Sequence, residues 1–460
     1  MVRHDSLMVA SHIASLSRSI SGRVLSPDEP GYDEYRRAWN TAVDQRPAAI
    51  VLPDPDDVAA DVSSTLVAAT EAGLRVAVQG TGHGATGLVD ESVILISMSH
   101  LRDVDIASGR ARVGAGARWS DVVGPAAGQG LAALAGSSAD VGVVGYSLGG
   151  GIGWLARRFG LASNAVAGAQ VVTADGGIHW VDADHEPEWF WALRGGSANF
   201  GIVTELLVDL VEVSTVQAGA LVWPRDRAGD VLAAYADWAI DLPDEVTPTL
   251  VMSAPPSGAI VMIGMCSTGS GDDLDAILAP LRELGGQIED TVGAMSPADL
   301  GQVHRDPLQP TASVADARLL EQLPAGTARG LARHAPGTDA ALAPLAAGNG
   351  SPLAMVELRR LGGAIARGGE GHGALNRLDG DYLLFALGIE DVTGSRASIE
   401  AGIADVLESL ASFETARTVL NFVDHPVTGQ TEFDPQTYRR LQALRAQMDP
   451  SGVLLAAHPI

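Results

Sequence analysis

Three glycine-rich stretches hold most of the residues that could do chemistry in this 460-residue chain. In the first, Gln79-Gly80-Thr81-Gly82-His83-Gly84, one histidine sits among glycines that let backbone N–H groups approach an anionic group closely. Near pH 7 a neutral imidazole is also a competent nucleophile. Taken alone, His83 reads first as a residue tolerating a left-handed turn. The second stretch, 136–153, contains Gly145-Tyr146-Ser147-Leu148-Gly149, which matches the Gly-x-Ser-x-Gly nucleophile elbow. That reading makes Ser147 a nucleophile, with His83-Gly84 near an oxyanion hole and His372, His425 or His458 downstream as its base. It leaves the other two glycine stretches without a role. The third, 193–204, is a polar turn running into a strand at 205–210. Further along, Glu357 and Arg359 are two residues apart on a short strand, so they share a face. They read equally as a catalytic pair beside a ligand and as a structural ion pair.

The elements that must position these residues follow from periodicity. A helical start gives way to irregular chain over 7–45, broken by Pro27, Pro30 and Gly31. A buried strand at 49–53 is followed by an acidic helix start and a helix from Val58 to Ala72, ended by Gly73. Strands follow at 75–78, 93–96 and 110–113. From about 215, strands (218–222, 248–252, 259–266) alternate with amphipathic helices (228–240, 272–284). Segment 324–350 reads as loop or helix hairpin. Strands at 355–359 and 382–388, a helix at 399–413 and a helix at 435–448 complete the chain.

Composition narrows the chemistry. All 30 basic residues are arginine, which excludes a phosphate-loop lysine, a Schiff-base lysine and a Ser–Lys dyad. The 56 acidic residues bring the net charge to −26, which argues against nucleic-acid and anionic membrane partners. The one cysteine, Cys266, has no intrachain partner, lies in an apolar strand and reads as an inert packed thiol. No metal site is expected. No apolar run approaches 18 residues, and the first 21 lack a signal-peptide core, so the expected compartment is the cytoplasm.

No Gly-x-Gly-x-x-Gly follows the first strand, so an ordinary dinucleotide fold is not expected. Instead 78–84 resembles the flavin loop of the vanillyl-alcohol oxidase superfamily, with its PCMH-type FAD-binding domain. More narrowly, it resembles the berberine-bridge-enzyme-like FAD oxidoreductases. The resemblance runs in order through 47–58, 113–117, 142–153, 191–196, 199–204, 356–364, Asn421-Phe422 and 438–450. It implies FAD bound covalently through His83. It also implies cofactor contacts from Gln79, Gly80, Thr81, Gly82, Gly84, Ser138, Val141, Gly142, Gly145, Tyr146, Gly150, Gly151, Gly153, Asn199, Gly201, Ile202, Val203 and Asn421. Some members attach the flavin a second time through a cysteine. Here that position is Ser138, so a single bond is expected. The family's tyrosine base on the strand 418–422 is replaced by Val419, which leaves Glu357, Arg359, Tyr382, Tyr438 and His372 as catalytic candidates.

The expected fold is α+β. An FAD-binding domain spans 1–213 with a C-terminal return at 412–460. A substrate domain at 214–411 has an antiparallel sheet flanked by helices. The expected activity is oxidation of an alcohol or activated C–H of a small molecule, with electrons passing to O2, in a monomer or homodimer. The alternatives are a dehydrogenase using another acceptor, a Ser147 hydrolase, and a flavin binder with little turnover.

Overall fold

The computed structural model describes residues 2–337 and 351–460. Part of the segment read as loop or helix hairpin, 338–350, lies outside the described residues. Its beginning forms a short helix, Ala325–Gly330, continued as a 3₁₀ turn.

The N-terminal half holds two large sheets and a two-stranded pair, Leu131–Ala132 with Val211–Glu212. In the first, the strands Ala49–Leu52, Val93–Ser97 and Arg75–Gln79 run parallel, and Arg23–Leu25 adds antiparallel at one edge. The helix Val58–Ala72 packs Val62, Leu66 and Ala69 against this sheet. Gly73 ends it in the left-handed conformation that a residue without Cβ adopts freely (φ 69°). The second sheet is antiparallel, in the order Val104–Ala107, Arg110–Gly114, Ile202–Asp209, Val166–Val172, Ile178–Val181. The chain's end returns to the first sheet, where Val76 donates to Val453 and accepts from Leu455. Asp449 fixes that return by accepting from the amides of Val453 and Leu454.

The third sheet is wholly antiparallel. Its central strands run Val216–Pro224, Ile260–Ser267, Val246–Ser253, Met355–Arg360, Tyr382–Ile389, Ser313–Leu320. Successive side chains on a strand point to opposite faces. One face, with Leu250, Ile263, Val356, Leu358 and Leu384, packs against the helices Ala228–Trp238, Gly271–Glu283 and Arg396–Glu408. The other face carries Val222, Val251, Met262, Glu357, Arg359 and Phe385 into a cavity.

Three local expectations are corrected. The helix expected at 399–413 is Arg396–Glu408, because Ser395 caps it by accepting from the Ser398 amide. The strand expected at 418–422 is a 3₁₀ turn, Leu420–Phe422, in which Phe422 donates to Val419 and no strand partner is present. The Gly-x-Ser-x-Gly match is not a strand-to-helix elbow. Gly145 to Leu148 lie within the helix Val143–Leu148 and Gly149 caps its end, and the fully buried Ser147 hydroxyl has no hydrogen-bond partner and does not reach the cavity.

Candidate active site

The cavity has a volume of about 1260 Å³ and lies between the two sheets of the N-terminal half and the open face of the third sheet. One wall is the loop Gly80–Gly84, where Thr81, Gly82, His83 and Gly84 donate no backbone hydrogen bond to the protein. Gly82 has φ 80°, and a Cβ there would come 2.7 Å from Ala38 Cα, so the loop's course requires glycine. Ser138, Val141, Gly142, Gly145 and Tyr146 form a second wall, Asn199, Gly201 and Val203 a third. Asn421 joins the second wall, its Oδ1 accepting from the Gly151 amide at 3.2 Å. Gln79 lines the floor and is fixed by Gln45 and by the Arg37 carbonyl.

Of the glycines expected at the ligand, Gly150, Gly151 and Gly153 do not line the cavity. They are packing glycines. A Cβ on Gly151 would meet the Tyr146 ring at 2.6 Å, and one on Gly153 would overlap the Ala135 carbonyl. Ile202 points away into the core behind the first sheet.

His83 stacks on Trp39, with ring centroids 4.1 Å apart and an interplanar angle of 19°. Its Nε2 lies 3.4 Å from Asp140 Oδ1, yet that buried nitrogen makes no hydrogen bond. Asp140 is anchored by the Trp39 indole N–H at 2.6 Å and the Ser138 hydroxyl at 2.7 Å. Burial opposes ionisation of Asp140, but the facing His83 imidazole and the hydrogen bond from Ser138 outweigh it and hold the carboxyl below its ordinary range.

On the facing sheet, Glu357 and Arg359 share the cavity side, as their spacing predicts. Glu357 is 1% exposed. It accepts from Arg359 Nε at 2.5 Å and from the Thr249 hydroxyl at 2.7 Å. His304 Nε2 lies 3.1 Å from the same carboxylate, out of line for a hydrogen bond, while His304 Nδ1 contacts Asp306 at 2.6 Å. Ser137 joins the ends, accepting from Arg359 and donating to Asp306. The guanidinium also lies 5.0 Å over the Phe422 ring. Burial disfavours every charge here, yet each is compensated. Arg359 and His304 drive Glu357 far below the ordinary carboxylate range, and the two carboxylates raise His304 to about 10. Four charges therefore sum to zero inside the cavity wall.

The other catalytic candidates lie elsewhere. Tyr382 pairs with Arg360, and that register turns both toward the helices. Its ring packs edge-on against Tyr235, away from the cavity. Tyr438 is on the helix Pro435–Met448 and packs near Gly429. His372 bonds Asn376 in a loop away from the cavity. Val419 is buried in the core.

Sequence reasoning missed Trp39, Asp140, His304, Asp306 and Asp424. Asp424 lines the cavity and accepts from Asn40 Nδ2 at 3.3 Å and the Ser313 hydroxyl at 3.4 Å. With no basic residue in contact, burial raises its carboxyl to about 7. A raised acid means that the folded chain holds a proton the unfolded chain releases, starting near pH ~4. Stability from this group thus falls between about pH 4 and 7. Asp424→Asn should raise the melting temperature at pH 8 and change it little at pH 4, measured by thermal unfolding.

The described residues contain no cluster of metal-ligating side chains and no helix long and apolar enough to cross a membrane. The shape and donor set fit FAD: a glycine loop with free amides, an unpartnered imidazole nitrogen, and room for an extended dinucleotide.

Residues 47–182 match the FAD binding domain family. The chain is 34% identical over 286 residues to (R)-6-hydroxynicotine oxidase of Paenarthrobacter nicotinovorans, covering 60% of this chain and 62% of that protein. It is 32% identical over 269 residues to glucooligosaccharide oxidase of Sarocladium strictum, covering 56% and 52%. The alignments thus span 62% or less of these curated relatives' length. Among solved structures, 6-hydroxy-D-nicotine oxidase of Arthrobacter nicotinovorans superposes with a TM-score of 0.82 at 26% identity, over 95% of this chain and 97% of that one. The berberine-bridge-enzyme-like protein 1 of Physcomitrella patens shares the fold, with a TM-score of 0.80 at 19% identity over 98% of both chains.

Proposed function

We propose that this chain, which carries an FAD binding domain over residues 47–182, is a berberine-bridge-enzyme-like FAD-linked oxidoreductase of the vanillyl-alcohol oxidase superfamily and an oxidase acting on a small molecule. It removes hydride from an alcohol or activated C–H and passes the electrons to O2. When bound, FAD supplies the hydride acceptor and the route to peroxide. The observation that carries the reading is one cavity with His83 on one wall and the ionised Glu357 cluster on another.

In this reading His83 holds FAD by a single covalent bond. Cys266 lies off the cavity with its thiol pushed up to about 12 by burial, and Ser138 is too weak a nucleophile for a second link. The cradle is formed by Gln79, Gly80, Thr81, Gly82, Gly84, Val141, Gly142, Gly145, Tyr146, Asn199, Gly201, Val203 and Asn421. Glu357, held ionised, accepts the hydrogen bond of the substrate's O–H or N–H and orients the substrate as hydride departs. Arg359 and Thr249 fix that carboxylate, and His304 keeps a positive charge beside it. The named relatives act on a nicotine derivative and on oligosaccharides, so amines and sugars are the substrate classes to try first. The protein is read as a cytoplasmic monomer or homodimer.

Anaerobic mixing with a panel of cyclic amines and oligosaccharides tests this. A substrate should bleach the flavin band, and admitting oxygen should restore it with stoichiometric peroxide, in wild type and Ser147→Ala alike. Reoxidation by a quinone dye but not by oxygen would make the protein a dehydrogenase. Hydrolysis lost in Ser147→Ala would revive the elbow.

A further inference from the structure

We propose that Asp140 is the base that lets this chain attach its own cofactor, taking the imidazole proton as His83 bonds to FAD. The inference rests on the covalent reading above and goes beyond it by naming the residue that drives the bond.

The geometry is specific. Trp39 stacks under the His83 ring and fixes its plane, while its indole N–H holds Asp140 Oδ2 at 2.6 Å. Ser138 donates to the other oxygen, Oδ1, which lies 3.4 Å from His83 Nε2. One residue thus sets both the imidazole and the carboxylate that faces it. The side chains of Asp140 and His83 are 12% and 20% exposed, so water competes weakly for either. His83 Nε2 is a buried polar atom without a hydrogen bond, and the nearest ionised group to it is Asp140. The arrangement has no evident use in hydride transfer, for which the Glu357 cluster is built. A carboxylate beside one imidazole nitrogen makes the other the better nucleophile, because it stabilises the positive charge that develops on attack.

The step balances as follows. His83 Nδ1, the nitrogen turned away from Asp140, bonds to the 8α carbon of FAD as a C–H bond there breaks. That hydrogen and the Nε2 hydrogen leave as protons, the second to Asp140. The electron pair stays on the flavin ring until molecular oxygen takes it, with two protons, as hydrogen peroxide. Net, one C–H and one N–H are exchanged for one C–N bond, and oxygen is reduced to peroxide.

The test uses apoprotein made under riboflavin limitation, mixed with FAD in air. Two quantities are followed: flavin bound reversibly, by filtration, and flavin that survives acid precipitation, over time. Wild type should convert one into the other. Asp140→Asn should bind FAD as tightly but attach it about 100-fold more slowly. Formate should speed attachment in Asp140→Ala, replacing the missing carboxylate. Trp39→Phe, which keeps the stack but loses the indole N–H, should fall between. Attachment in Asp140→Asn at the wild-type rate would overturn the assignment. So would slow attachment matched by an equal loss of reversible binding, or no response to formate. Wild type that binds FAD but never retains it in acid would instead refute the covalent reading itself.

Discussion

Glu357→Gln is expected to slow flavin reduction by substrate about 100-fold, the range lost when a group that positions the reacting atoms is displaced. The amide keeps the shape and can still accept from Thr249 and Arg359, but it carries no charge with which to hold the substrate's O–H or N–H. Stability should fall as well. Removing one member of a buried charge cluster leaves the others uncompensated, at a cost of about 3–5 kcal/mol. The same reasoning changes what Arg359 can reveal. Its spacing alone suggests that neutralising it would slow reduction while sparing the melting temperature. Its burial against Glu357 means that Arg359→Gln should lower both. Stopped-flow reduction as a function of pH separates the roles. Glu357 stays ionised throughout the neutral range, because its carboxyl lies far below the ordinary value. His304 keeps its proton until about pH 10. A folded pKa raised above the ordinary ~6.5 gives stability that is complete below that value and lost as pH rises through 10. The wild-type rate should therefore be flat across neutral pH and decline toward pH 10. Glu357→Gln should shift the decline to lower pH, since His304 loses one of its two carboxylates. A rate within about twofold of wild type in Glu357→Gln would make the cluster structural.

His83→Ala should bind FAD that leaves completely on denaturation, and should turn over slowly. The glycine loop and Asn421 remain to bind the cofactor reversibly, so the variant should still be yellow when isolated gently. Losing the link should lower the flavin's reduction potential. For a two-electron couple, each ~30 mV lost removes ~1.4 kcal/mol of driving force. The measurement is a redox titration of wild type and variant beside their reduction rates. An unchanged potential with an unchanged rate would mean that the imidazole does nothing to the flavin.

Local signals made part of this site legible. Val58–Ala72 and Pro435–Met448 were readable from periodicity, and Gly73 marked the end of the first. Glu357 and Arg359 were readable because strand alternation has a period of two, and the register with Phe385 bears it out. The same alternation applied to Tyr382 requires knowing its partner. Pairing with Arg360 turns it to the helix face, and nothing in its own segment says so. His304 and Asp306 escaped for another reason. They flank Arg305, a non-glycine residue at φ 64°, whose left-handed turn folds Asp306 back onto His304. Such a turn has no periodicity to read. Asp140 meets Trp39 across 101 positions, a contact that only the folded chain creates. The glycines were legible as a group but not one by one. Whether a glycine faces the cavity, like Gly142, or makes room for Tyr146, like Gly151, depends on its neighbours in space.

The most direct test of the covalent flavoprotein reading is an absorption spectrum of the purified wild-type protein, followed by acid precipitation. The account predicts a flavin spectrum, a yellow pellet and a colourless supernatant, with one FAD on a peptide containing His83. Flavin released quantitatively into the supernatant would contradict the link through His83, and a protein that takes up no FAD at all would contradict the account as a whole.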